Sequence, residues 1–133
     1  MIDALVTSMS SGILVNSGHL LENLVLTALR RVTSEIFYYT TKAGREVDFI
    51  AGRQDLPRML VQVCESMAAP QTRKRETAAL AEGMVELNLT ESTIVTHYEE
   101  ERIRVESGTI KVMPAWRFLL SLGSAHETEK IVC

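Results

Sequence analysis

REVDFIAGRQDLPRMLVQVCESM, Arg45 to Met67, is the stretch that decides the fold. Two apolar, β-branched runs flank a turn containing Gly52, Asp55 and Pro57, the pattern of two strands joined by a hairpin connection. Side chains alternate between faces in an extended chain, so Glu46, Asp48 and Ile50 are expected on one face of the first strand. By the same rule Leu60, Gln62 and Cys64 share one face of the second. Asp48 and Gln62 fall mid-strand, between Val47 and Phe49 and between Val61 and Val63. A carboxylate and an amide inside a sheet cost desolvation free energy unless something pairs with them. That cost marks the hairpin as the place to look for function.

The surrounding chain bounds the answer. Its 133 residues suit one domain with a real core, and 46% apolar with 23% charged residues is ordinary for a globular protein. A formal charge of -3 argues against attachment to nucleic acid by bulk charge, though not against a local basic patch. Two cysteines, Cys64 and Cys133, are too few for a disulfide framework. No apolar run approaches the ~20 residues of a membrane span, and the start lacks the basic and apolar regions of a signal peptide. A cytoplasmic protein without a membrane partner is expected.

Outward from the hairpin, periodicity orders the remaining elements. Residues 1–16 read as an N-terminal arm or short helix, with the helical part over Ile2 to Met9. Leu20, Leu21, Leu24, Val25, Ala28, Leu29 and Val32 recur at helical spacing, which predicts a helix from His19 to Val32. Glu22 lies on the margin of that stripe. Glu35 to Thr41 is an aromatic, β-branched strand, and Lys42, Ala43 and Gly44 turn the chain into the strand Arg45 to Ala51. With Met59 to Glu65 as a third strand, an antiparallel meander is expected. Pro70 opens a helix over Gln71 to Leu87. Thr93 to His97 is a buried strand, and Arg102 to Val105 with Thr109 to Val112 form a hairpin about Ser107 and Gly108. Ala115 to Leu122 is a last helix packed by Trp116, Leu119 and Leu120, followed by a polar tail over 123–133.

Helix, three strands, helix, strand, hairpin and helix, with Glu22 on the first helix and Asp48 and Gln62 on the meander, resembles the PD-(D/E)xK nuclease-like superfamily. The phrases GHLLENLVLTALRR, EIFYYTTKAGREVDFI, LVQVCES, TRKRETAAL, TIVTH and VMPAWRFLL resemble one branch of it. That branch is the C-terminal domain of unknown function of archaeal and bacterial AAA-type ATPases. The resemblance covers residues 17–122. It implies an α/β, restriction-endonuclease-like core whose mixed central sheet is flanked by helices. It also implies a site in which a helix glutamate, a strand aspartate and an acidic residue of the next strand hold Mg²⁺. A lysine two residues further on stabilises charge on the scissile phosphate. By position these are Glu22, Asp48, Gln62 and Cys64. The last two depart from the pattern: an amide is a weaker ligand for a hard cation, and a thiol brings no positive charge. Losing one preorganised charge-stabilising group commonly costs about 10²–10³ in rate.

The resemblance therefore implies a degenerate nuclease-like domain with at most a weak Mg²⁺ site, retaining a nucleic-acid- or partner-binding role. No G-x-x-x-x-G-K-[ST] stretch occurs, so no nucleotide is expected as cofactor. Two alternatives stay open: an active Mg²⁺-dependent DNA endonuclease with a relocated lysine, and an interaction or oligomerisation domain without nucleic acid. The partners to weigh are DNA, an ATPase module and a second copy of the chain. Single residues stay open too. Asp48 is a metal ligand or a buried aspartate satisfied by Arg45, Lys42 or a backbone amide. Gln62 is a ligand or a structural hydrogen-bonding group, and Cys64 is a core residue before it is a nucleophile. Arg73, Lys74 and Arg75 are the compact basic run, either a phosphate-contacting patch or a solvated helical face.

Overall fold

The apolar stripe read over Leu20 to Val32 closes the first helix, α1 (Ser17–Val32), and the aromatic run after it forms β1 (Ile36–Thr40). The structure, a computed structural model, describes residues 17–132. The helix expected over Ile2 to Met9 lies outside the described residues. Next come β2 (Glu46–Arg53), β3 (Leu56–Val63), α2 (Pro70–Leu87), β4 (Glu91–Thr96), β5 (Glu101–Val105), β6 (Gly108–Pro114) and α3 (Ala115–Val132). The six strands form one mixed sheet in the order β1-β2-β3-β4-β6-β5. β1, β2 and β3 pair antiparallel as the expected meander. β4 runs parallel to both β3 and β6, and β5 closes the far edge antiparallel to β6. A parallel neighbour cannot be reached by a tight turn, so α2 crosses over between β3 and β4.

Helices cover both faces. On one, Leu80 and Met84 of α2 pack on Val47, Ile50, Leu60, Ile94, Ile110 and Val112. On the other, Leu21, Val25 and Leu29 of α1 and Phe118 and Leu122 of α3 pack on Phe49, Ala51, Val61 and Val95. α2 comes close to the sheet at Gly83, where a Cβ would stand 3.1 Å from Leu60 Cδ1. It ends at Asn88, left-handed at φ 57°, with the Leu89 N–H returned to the Met84 carbonyl at 2.8 Å.

Three expectations need correction. The connection between β2 and β3 is tighter than the Gly52-to-Pro57 turn. Arg53 pairs with Leu56 and Asp55 takes φ 60°, while Gly52 and Pro57 lie within the strands. Pro57 sits where the β2–β3 register shifts, a place that tolerates a missing N–H. Second, α3 does not stop at Leu122 but continues to Val132. Its packing residues are Phe118 and Leu122, whereas Trp116 is 56% exposed and Leu120 is exposed too. Third, Glu46, Asp48 and Ile50 do not share a face. Phe37 pairs with Ile50 and Tyr39 with Val47, so Tyr38 alone of β1 opposes both Asp48 and Phe49 of β2. This extra residue, a β-bulge, puts Val47 and Ile50 together on the α2 side and turns Asp48 out of the alternation.

Candidate functional site

The bulge lies where two strands part. β2 and β3 keep register through Phe49–Val61, and Asp48 and Gln62 then take over from the backbone ladder. Gln62 Oε1 accepts the Asp48 N–H at 2.7 Å, and Gln62 Nε2 donates to the Glu46 carbonyl at 3.2 Å. In return, Asp48 Oδ2 accepts the Val63 N–H at 2.7 Å. Each side chain thus satisfies backbone groups of the opposite strand. Buried Gln62 has its amide engaged at both ends. Val63, past this link, still leads to β4, since Cys64 N–H donates to the Val95 carbonyl at 3.0 Å.

Beyond the link opens a cleft of about 840 Å³. Its walls are the first turns of α1, with Gly18, His19 and Glu22, and of α2, with Thr72, Arg75, Glu76 and Ala79. Arg45, Glu46, Asp48, Gln62 and Cys64 line the sheet side. Glu22, Asp48, Gln62 and Cys64, the four positions singled out from the sequence, therefore meet in one cleft. Arg75 joins them; Arg73 and Lys74 do not line it. Arg73 lies against β5, where both its terminal nitrogens bond the Glu101 carboxylate. Arg75 is held loosely by Glu76 at 3.3 Å.

Electrostatics in the cleft are dominated by carboxylates. Burial pushes the Asp48 carboxyl up to about 6 from 3.8; the Val63 N–H pulls the other way, and the charges of Glu22, Glu76 and Glu46 add to the rise. Burial likewise raises the Cys64 thiol, whose Sγ–H donates to the Ser66 carbonyl at 3.0 Å, so at neutral pH it is an uncharged thiol. Glu76 is the cleft residue that sequence reading passed over. Its signal was there: positions 76, 79, 80 and 83 follow helical spacing, and the last three are buried. A charge at the head of an inward stripe faces a neighbour rather than open water.

The cleft suits a preformed divalent-metal site poorly. Among the described residues, no three His, Cys, Asp or Glu side chains group as metal ligands. One Asp48 oxygen and the whole Gln62 amide are already bonded to backbone. Cys64 is a soft, protonated donor that a hard cation does not choose.

Comparison with known proteins adds family membership. A family model described as "Domain of unknown function (DUF4143)" matches residues 17–118. Uncharacterized protein MJ1544 of Methanocaldococcus jannaschii is 31% identical over 115 residues. That alignment covers 80% of this chain but 25% of the archaeal protein, so the chain spans about a quarter of the length of this relative. No solved structure matches.

Proposed function

The chain belongs to the DUF4143 family, and on that premise we propose that it is a degenerate nuclease-like domain, inactive in cleavage, that serves a larger protein as a binding module. The observation that carries this reading is the Asp48–Gln62 link. At the position where the resemblance to PD-(D/E)xK nucleases calls for a metal-binding acid, an amide is bonded to the Asp48 N–H and the Glu46 carbonyl. The motif position has become a structural joint. Cys64, two residues on, supplies no charge for a developing phosphoryl anion. The order of elements, with an α2 crossover inside a mixed sheet, fits the restriction-endonuclease-like core proposed for this domain.

A protein partner suits the cleft better than DNA. Glu22, Glu46, Asp48, Glu65 and Glu76 line it against Arg45 and Arg75, so a phosphate backbone approaching it meets net negative charge. Arg73 of the basic run is already paired with Glu101. The small share of the archaeal relative that the chain covers supports a module of a longer polypeptide. An AAA-type ATPase module is the host that the sequence resemblance proposes. Among the described residues no helix is long and apolar enough to cross a membrane.

The test is incubation with plasmid, branched DNA and RNA in Mg²⁺ or Mn²⁺. No cleavage is expected; cleavage that disappears in Asp48→Ala overturns the proposal in favour of an active nuclease. A gel shift over a salt series decides between nucleic acid and protein as partner.

A further inference from the structure

We infer that the free edge of β1 is a pairing surface for a second copy of this chain, joined antiparallel about a two-fold axis. This inference is independent of the cleft and of the role proposed for it. The sheet has two edge strands, and they are built differently. β5 carries Glu101, Arg102 and Arg104, the charged residues that keep an edge from pairing with another chain. β1 reads IFYYT and carries no charge. Its backbone groups bond β2 on one side only, and the other side is unpaired among the described residues.

The side chains at this edge are also those of an uncovered interface. Phe37 is 65% exposed and Tyr38 is 77% exposed. They lie on opposite faces. Phe37 pairs with Ile50 on the α2 side, and Tyr38 stacks on Phe49 of the other face with ring centroids 6.3 Å apart. One added strand would cover both rings, which no helix on a single face can do. Charge selects the partner. Glu35 precedes β1 and Lys42 follows it; neither side chain is in an ion pair among the described residues, although the Lys42 backbone N–H donates to Glu86 and its charge is felt there. Antiparallel pairing of two copies brings Glu35 of one near Lys42 of the other, and does so twice, whereas a parallel arrangement sets like against like. The strand is therefore complementary to itself.

Sedimentation velocity of the full chain over a concentration series tests this. A reversible dimer is expected, with amides of residues 36–40 gaining hydrogen-exchange protection as concentration rises. Tyr38→Lys sets two lysines across the two-fold, and the dissociation constant should rise about tenfold or more. Should that variant fail to fold, charge reversal decides: Glu35→Lys weakens the dimer, and adding Lys42→Glu restores it. A monomer at every concentration overturns the inference. So does a dimer indifferent to Tyr38→Lys and to charge reversal but lost in Leu24→Glu, which would place the interface on α1.

Discussion

The Gln62 amide oxygen accepts the Asp48 N–H at 2.7 Å, and the Asp48 carboxylate accepts the N–H of the residue after Gln62 at the same distance. The two side chains exchange places with the backbone bonds that a regular ladder would have made. Because Asp48 is bulged, its backbone cannot face β3 in register, and the long Gln62 side chain reaches across the gap. The residues that would make a cleft reactive are therefore also the ones that hold its two strands together.

Asp48 should limit stability at neutral pH. Its folded value of about 6 lies above the ordinary 3.8, so burial opposes ionisation. The sign follows: the stability contribution of this carboxyl is complete below pH 3.8 and is lost as pH rises through about 6. Asp48→Asn keeps an oxygen for the Val63 N–H and removes the charge. It should stabilise the chain by about 2–3 kcal/mol at pH 7 and by almost nothing at pH 3.5, read from urea unfolding at both values.

Gln62→Leu removes the joint while preserving bulk. The Asp48 N–H and Glu46 carbonyl then lose their partners beside a buried position. Destabilisation of about 1–3 kcal/mol is expected in chemical denaturation, with faster hydrogen exchange at the Asp48 amide. A Leu variant as stable as the parent would show that water replaces the amide at no cost.

Gly83 sets how closely α2 approaches the sheet. A Cβ there already meets Leu60 Cδ1 at 3.1 Å, and the branched methyls of valine would press into a fully buried leucine. Gly83→Val should lower stability by about 1–3 kcal/mol despite the gain in helix propensity over glycine. Thermal unfolding followed by circular dichroism reads this.

Arg73 offers a test of the basic run. Its ion pair with Glu101 is partly exposed, and such pairs contribute under about 1 kcal/mol. Arg73→Ala should lower stability by no more than that and leave any salt-dependent DNA retention unchanged. A DNA affinity that falls severalfold in Arg73→Ala would make the basic run a phosphate-contacting patch instead.

Much of the architecture was legible because it is written in near neighbours. The Leu21–Val25–Leu29 stripe, the proline at the head of α2 and the Ser107–Gly108 hairpin each depend on residues within a turn or two. Tyr38 and Tyr39 divide between solvent and the α2-side core as strand alternation requires. Element ends were less legible. Gly123 reads as a helix stop although α3 runs through it, and Pro57 reads as a turn residue although a register shift accommodates it within β3. The cleft was legible in part: Glu22, Asp48, Gln62 and Cys64 could be singled out, but not the wall that Glu76 makes opposite them.

By itself the sequence determined the order and kind of the elements, and the polar residues that a strand would not hold without reason. Periodicity and turn chemistry act over a few residues, so one chain suffices to display them. Only the tertiary structure decided what those polar residues do. The bulge at Asp48 is accommodated by a side chain 14 residues away, which takes up the Asp48 N–H. Burial raises the Asp48 carboxyl first, and the charges of Glu22 and Glu76 on the helices and of Glu46 on β2 add to the rise. Contacts of that range depend on how strands and helices come to lie together, and no local pattern records them.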